Sequence, residues 1–340
     1  VGNLLCWAIR EVMDVHGSNH DVLYQTFIKE ILQSIRIRRV LTHDELKVEK
    51  ILRTKEGKNS SLEYDHCSIE SLSELSRTLR HMTIQSRDMR RELLQENVFR
   101  IMIQKLDSEV VHGGIYYRTI RQLQPKKKMG KEEQQQKQKE QDDDLEQAIF
   151  DGQQLVFVTK FFVNFLATCL ICMQHVGEAG EVLKTELLND LPAIKFAQTC
   201  MSAALCFADA IVQVSESHTY YRRSGRTPPS SIEHRDLLNQ LHMAEVECAQ
   251  ILWYGAVAST TLREGVGLAV KPYDMVRLLR SMCLQSLSSE DDDNISKTTV
   301  AIVGICRLLS YLLLDERRME PLLEKKQARG TTEMIHSCLG

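Results

Sequence analysis

Two cysteines separated by two residues, Cys169 and Cys172, give the first spacing in the chain that could bind a metal or carry a redox disulfide. A zinc site would need a second Cys or His pair, and a redox CxxC would need a thioredoxin-like βαβ setting. Neither is evident, and the flanking residues are Leu, Ile, Met and Ala. We therefore predict two small side chains on a buried helix, with no metal and no cofactor.

Histidine and glycine spacings add no catalytic signal. His16 and His20 are four apart, but a Gly-Ser pair lies between them, so they are not expected to share a helix face. The pair Gly265 and Gly267 lacks a preceding strand and predicts a helix break instead of a phosphate loop. The sequences GxxxxGK[ST], GxSxG and HExxH do not occur. We expect the chain not to be an enzyme and to bind no small molecule.

Residues 217–231, SHTYYRRSGRTPPSS, combine two tyrosines, three arginines and two prolines. A phosphate added at Ser224 or Thr227 would lie beside the arginines and form charge-assisted hydrogen bonds. This composition predicts an exposed loop that is either a phosphorylation or docking site or a flexible connector.

The overall composition favours a folded helical protein inside the cell. The 340 residues are 43% hydrophobic, carry a net charge of −3, and include only 6 prolines and 16 glycines. Long stretches without Gly or Pro favour helices, and the lack of a basic excess argues against nucleic-acid binding. The ten cysteines form no dense framework, which indicates a reducing compartment, the cytoplasm or the nucleus. The missing initiator Met and basic leader suggest a segment of a longer protein without a signal peptide.

The most apolar run, Leu155 to Val176, is interrupted by Lys160, Asn164, Gln174 and His175. We interpret it as too polar to span a bilayer and as a helix buried on most sides. The sequence therefore predicts no contact with a membrane.

We predict that the chain has three parts. Helical repeats fill residues 1–124 and 145–340, and residues 125–144, PKKKMGKEEQQQKQKEQDDD, form a disordered charged insertion or a loosely held helix. We expect one continuous arrangement of helices with two exposed insertions.

An internal repeat is the most informative feature. LRHMTIQSRDMRRELL from Leu79 aligns without a gap with LSYLLLDERRMEPLLE from Leu309, which places Arg87 against Arg317 and Met89 against Met319. Each piece reads as an apolar helix, a short polar turn, and a short charged helix with a Leu pair. The same order recurs more loosely three more times, and about three such units or more are needed for stability.

At these residues the chain resembles armadillo repeats, in which a long third helix ends one module and two shorter helices open the next. The resemblance implies an all-α fold, an irregular α-solenoid of about five modules. It also implies a concave face lined by the third helices that binds a partner's extended segment. The residues that match this face, or occupy its asparagine slots, are Asn3, Arg80, Asn164, Trp253, Tyr254 and Arg307.

Amide, aromatic and Arg side chains are suited to such a face, because amides pair with peptide groups and the others are common interface hot spots. The predicted function is a scaffold or adaptor for other proteins, with an acidic or amphipathic partner segment. The alternative is a helical nucleic-acid-binding protein that uses Arg36, Arg38, Arg39, the Arg87–Arg91 cluster and Lys126–Lys128.

Overall fold

Serine side chains begin two of the short helices in the computed structural model, which describes residues 28–35, 69–112, 137–174, 192–223, 231–286 and 292–314. The Ser86 hydroxyl accepts a hydrogen bond from the Met89 backbone N–H at 3.4 Å, and the Ser259 hydroxyl accepts one from Leu262 at 3.3 Å. Each bond satisfies one of the N–H groups that a helix leaves without a partner in its first turn. The described residues are helical apart from caps and turns, and they contain no strand, so the predicted all-α class is confirmed.

The helices follow one another with short breaks. In chain order they are α1 (Ile69–Gln85), α2 (Arg87–Gln95), α3 (Val98–Lys105), α4 (Lys137–Gln174), α5 (Ala193–Arg223), α6 (Ser231–Ala258), α7 (Thr260–Ala269), α8 (Pro272–Ser286) and α9 (Asp292–Leu314). A π-helical turn, Leu106–Val111, continues α3, and residues 28–35 form a further helical segment.

One order of elements occurs twice among the described residues. Long α1 ends at the Ser86 cap, short α2 follows, and a two-residue break leads to α3. Long α6 ends at the Ser259 cap, short α7 follows, and a two-residue break leads to α8. This is the order that the repeat predicts at Leu79, whereas its aligned copy from Leu309 lies outside the described residues beyond Leu314.

Four long helices form a row in which α4 packs against α1 and α6, and α6 packs against α9. Behind this row, α5 contacts α6, α7, α8 and the π-helical turn. Helix α6 is therefore covered on several sides, and every residue from Leu241 to Leu252 is buried. Fully buried aromatic rings such as Phe162 and Phe207 join α4 to α5 in an edge-to-face contact, and burial of each such side chain contributes about 1.5–3 kcal/mol.

Two predicted insertions are partly helical. Helix α4 begins at Lys137, so residues 137–144 of the predicted disordered insertion belong to a helix, and residues 125–136 lie outside the described residues. Helix α5 continues to Arg223, so residues 217–223 of the predicted exposed loop are helical as well. The remaining loop residues before Ser231, with the proposed phosphorylation sites Ser224 and Thr227, are outside the described residues.

The helix break predicted at Gly265 and Gly267 is wrong, since both residues lie within α7. A Cβ at Gly265 would lie 2.7 Å from the backbone carbon of Ala193, the first residue of α5. This glycine permits a close approach between two helices, which local sequence rules cannot distinguish from a break.

The prediction of no membrane contact is also wrong. Three helices are long and apolar enough to cross a bilayer: Leu155–Gln174, Ala193–Ser215 and Asp292–Leu313, with mean hydropathies of 2.1, 1.3 and 1.4. The first holds a single charged residue, Lys160, which does not offset its apolar length. These helices indicate a membrane location. The predicted location, purely in the cytoplasm or the nucleus, is therefore wrong.

Candidate binding groove

A polar groove of about 560 Å³ lies between the four long helices α1, α4, α6 and α9. Each helix contributes side chains because residues three or four apart share a helix face. The charged and amide residues that line it are Glu74, Arg77, Arg80, Lys160, Asn164, Asp236, Asn239, Gln240, Glu247, Asn294 and Lys297. We call this the long-helix groove.

Two of the residues predicted for partner binding meet in the long-helix groove. The Arg80 guanidinium on α1 donates to the Asn164 side-chain oxygen on α4 across 3.4 Å. The Asn164 amide nitrogen donates in turn to the Lys160 backbone oxygen at 2.9 Å. Both Arg80 and Asn164 are half-buried, so each presents part of its side chain to the groove. Sequence reasoning identified the residues, and the helix row brings them together.

The charges of the groove are mostly arranged as pairs. Lys160 binds Asp236 at 3.1 Å, which joins α4 to α6, and Arg77 contacts Glu74 at 3.7 Å within α1. Lys297 is paired with Asp293, one turn earlier on α9. The lining includes four cations and three carboxyl groups; with Asp293 beside Lys297 the charges balance when Glu247 is ionised, and the groove carries one net positive charge when Glu247 is protonated.

Glu247 lines the groove and is 4% exposed. Its Oε2 atom has no hydrogen-bond partner among the described residues. Burial raises the pKa of this carboxyl group to about 8, although Arg80, Lys297 and the backbone at Ala167 act in the opposite direction. The group therefore carries a proton on a large fraction of molecules at neutral pH.

A buried polar network lies one turn away on α6. His242 Nε2 is 3.0 Å from the Thr298 hydroxyl, and His242 Nδ1 is 3.2 Å from Glu245 Oε2. Thr298 donates to the Asn294 backbone oxygen at 2.7 Å, so its hydroxyl accepts from the imidazole. One proton is then shared between His242 Nδ1 and Glu245, and burial raises the pKa of Glu245 against the opposing effects of His242 and Ser281.

Helices α6 and α9 have a second polar connection next to that network. The Gln250 side-chain nitrogen donates to the Lys297 backbone oxygen at 2.7 Å.

Sequence reasoning missed Glu245 and Glu247, and also His242. The sequence signal for these residues is two carboxyl groups within the otherwise largely apolar run from Leu241 to Leu252. Burial of a carboxyl group costs free energy unless it is paired or protonated.

Trp253 and Arg307, also predicted for partner binding, form a pair outside the groove lining. The Arg307 guanidinium carbon lies 5.7 Å from the centre of the Trp253 ring, in a cation–π contact between α9 and α6. Gly304 faces the same ring, and a Cβ there would lie 2.5 Å from Trp253 Cγ. Tyr254 is half-buried and packs against the core. Asn3 lies outside the described residues.

Both cysteines of the CxxC pair are buried on α4 and belong to the hydrophobic core. In the described part of the chain, no group of three His, Cys, Asp or Glu side chains could hold a metal ion. In comparisons with known proteins, no protein family, curated protein or solved structure matches this chain.

Proposed function

We propose that this chain is a non-catalytic protein-interaction module that holds an acidic segment of a partner protein in the long-helix groove. The observation that supports it is the juxtaposition of Arg80 and Asn164 in a polar groove between successive long helices. An amide can donate to and accept from a peptide unit, and an Arg guanidinium recognises carboxylates through several N–H groups. The net positive charge of the groove when Glu247 is protonated favours an acidic segment over a basic one.

The finer architecture belongs to the same proposal. We infer an irregular armadillo-like solenoid in which α1, α4, α6 and α9 act as the long third helices. The repeated order of long helix, serine cap, short helix and further helix supports this reading, as does the packing of the long helices in a row. In such a stack the long helices line the binding face, which is where the groove lies.

The arginine cluster at Arg87–Arg91 gives less support to nucleic-acid binding. Arg90 donates to the Thr83 backbone oxygen at 2.9 Å and thereby caps the end of α1. Arg91 contacts Asp88 at 3.6 Å on the same helix. Both side chains serve local structure, and the proposal therefore assigns the cluster no ligand.

A photo-crosslinking amino acid placed at Phe157 tests the proposal, because that residue lines the groove. The matched control position is Leu268, which is 71% exposed on α7 and does not line the groove. We expect a protein adduct from Phe157 that is absent from Leu268 and is lost with Arg80→Glu. Sequencing of the adduct should place the crosslink next to Asp or Glu residues. Adducts that persist with Arg80→Glu, or that map to basic segments, would refute the proposal.

Membrane attachment is a second candidate function, favoured by the three helices of sufficient length and hydropathy. Their candidate segments differ in how much of each is buried, with 72% for Leu155–Gln174, 61% for Ala193–Ser215 and 39% for Asp292–Leu313. Helix α9 therefore has the most surface available to lipid. A module that binds a partner segment can also be held at a bilayer, so the two functions are compatible.

A further inference from the structure

The contacts described above account for only part of the buried carboxyl group of Glu247, on which the backbone at Ala167 acts. It is almost fully buried, it lines the long-helix groove, and its Oε2 atom lacks a hydrogen-bond partner among the described residues. A buried polar atom without a partner destabilises the fold, so an unsatisfied carboxyl oxygen on a residue that lines a groove points to a ligand that could satisfy it. Two cations, Arg80 and Lys297, act electrostatically on the same carboxyl group.

We propose that the long-helix groove is a carboxylate-binding site in which Glu247, as a carboxylic acid, donates a hydrogen bond to the ligand while Arg80 and Lys297 supply positive charge. The inference rests on the proposed function, because the ligand is then an Asp or Glu side chain of the partner segment. It adds a residue that sequence reasoning did not identify, and it makes binding depend on a proton.

A cationic ligand is disfavoured by the charge of Arg80. Arg77, Lys160 and Lys297 are paired with carboxylates, whereas the Arg80 guanidinium bonds the neutral Asn164 amide and would oppose an incoming amine or guanidinium. An ionised Glu247 would in turn repel a ligand carboxylate. Protonation removes that repulsion and converts the buried oxygen into a donor, since a neutral carboxyl group has one O–H. The acid form and a carboxylate ligand are therefore complementary.

The charge of Glu247 depends on the groups that face it from the four surrounding helices. These are Glu74, Arg77 and Arg80 on α1, Lys160 on α4, Asp236 on α6, and Lys297 with its partner Asp293 on α9. Burial raises the pKa of Glu247 to about 8, and it also raises the pKa of the buried Glu245 on the same helix.

The expected pH dependence follows from the fraction of Glu247 that is protonated. Burial raises its pKa to about 8, so the acid form falls from roughly nine-tenths at pH 7 to one-tenth at pH 9. The apparent affinity for the ligand decreases in proportion to the fraction of molecules with protonated Glu247, which gives about tenfold weaker binding at pH 9 than at pH 7. Since a bound carboxylate further favours the acid form, binding at pH 8 should take up a fraction of a proton from solution.

The experiment uses the whole chain and a fluorescein-labelled hexaglutamate peptide with blocked ends. Fluorescence anisotropy gives the Kd at pH 7, 8 and 9, and calorimetry in buffers of different ionisation enthalpy gives the proton uptake. Glu247→Gln keeps a donor and should bind about as tightly as wild type at pH 7, with no pH dependence and no uptake. Glu264→Gln, an exposed change on α7 outside the groove, should behave as wild type.

The outcomes separate this inference from the proposed function. Peptide binding that depends on Arg80 but has the same pH profile in wild type and Glu247→Gln would overturn the inference and leave the function standing. Inorganic phosphate and N-acetylglutamate are then added as competitors of the labelled peptide. If phosphate displaces the peptide as strongly as N-acetylglutamate does, the groove is a general anion site and carboxylate selectivity is overturned. Failure of wild type to bind the peptide at any of the three pH values overturns the inference, and the crosslinking experiment at Phe157 then decides the function.

Discussion

The guanidinium of Arg80 donates a hydrogen bond to the side-chain oxygen of Asn164 at 3.4 Å, although the two residues are 84 positions apart. The contact joins α1 to α4 at the polar groove, and Lys160 holds the Asn164 amide in place through its backbone oxygen. Carboxylates form stronger, charge-assisted hydrogen bonds with Arg than amides do. A ligand carboxylate could therefore replace the Asn164 oxygen as the acceptor for Arg80, which suits Arg80 to ligand binding.

Asn164→Asp tests this relationship with almost no change in shape. The new carboxylate would pair with Arg80 and repel an acidic ligand, so we expect about tenfold weaker binding of the hexaglutamate peptide at pH 7. The measurement is fluorescence anisotropy. Gln174→Glu adds the same charge at an exposed position near the end of the same helix and should leave the Kd unchanged. Equal loss in both variants would show that net charge, and not the groove, controls binding.

Most of the described helices could be predicted from the sequence, but their contacts could not. The prediction of helices throughout residues 145–340 agrees with α8 (Pro272–Ser286) and α9 (Asp292–Leu314), because apolar periodicity is a local signal. The helix at Gly265 was missed because its glycine is required by the backbone of Ala193, more than 70 positions away. Resemblance to armadillo repeats identified Arg80 and Asn164 separately, and only the fold places them side by side.

Thr298 connects α9 to α6 by accepting a hydrogen bond from His242 while remaining fully buried. Thr298→Val keeps the shape and removes the hydroxyl, which leaves the imidazole Nε2 without its partner. We expect the free energy of unfolding to fall by about 1–3 kcal/mol, measured by urea denaturation at pH 7. Thr299→Val is the matched control, since Thr299 is exposed and bonds only one turn back along its own helix. A control that loses as much as Thr298→Val would contradict the role of the network.

Gly304 is predicted to be needed for the contact between α9 and the Trp253 ring. In a helix interior, Gly→Ala ordinarily stabilises a protein by about 0.5–1 kcal/mol. Here the added Cβ would lie 2.5 Å from Trp253 Cγ, so we expect Gly304→Ala to destabilise by about 1–3 kcal/mol instead. Thermal unfolding followed by tryptophan fluorescence measures both the stability and the ring's surroundings. Val303→Ala, at a 44% exposed neighbour, should change little, and a stabilised Gly304→Ala would disprove the close packing.

The stability of the chain should fall with rising pH partly because of Glu247. Its pKa is raised from an ordinary 4.5 to about 8 in the folded state, so between these values the folded chain holds a proton that the unfolded chain releases. The contribution is fully present below pH 4.5 and is lost as pH rises through 8. At pH 5.5–7.5, Glu247→Gln should therefore reduce the downward slope of the unfolding free energy by about 1.4 kcal/mol per pH unit. Parallel slopes for wild type and Glu247→Gln in urea titrations would contradict the burial of an acid form, and Glu264→Gln should follow wild type.

Helix α9 is the best place to test membrane attachment, because a smaller share of its candidate span is buried than in the other two. Its exposed apolar residues include Val300 and Val303, 40% and 44% exposed. We expect the whole chain to float with phosphatidylcholine vesicles in a density gradient, and Val300→Asp with Val303→Asp to reduce the floated fraction by at least about tenfold.

The control for that experiment is Ser296→Asp with Thr299→Asp, which adds the same charge at exposed polar positions of α9. Because those residues offer lipid no large apolar side chain, the control should float nearly as well as wild type. Resistance of the vesicle-bound chain to carbonate extraction would indicate a spanning helix, whereas release would indicate a helix lying on the surface. Equal flotation of both double variants would exclude α9 as the attachment, and absence of wild type from the floated fraction would contradict membrane contact altogether.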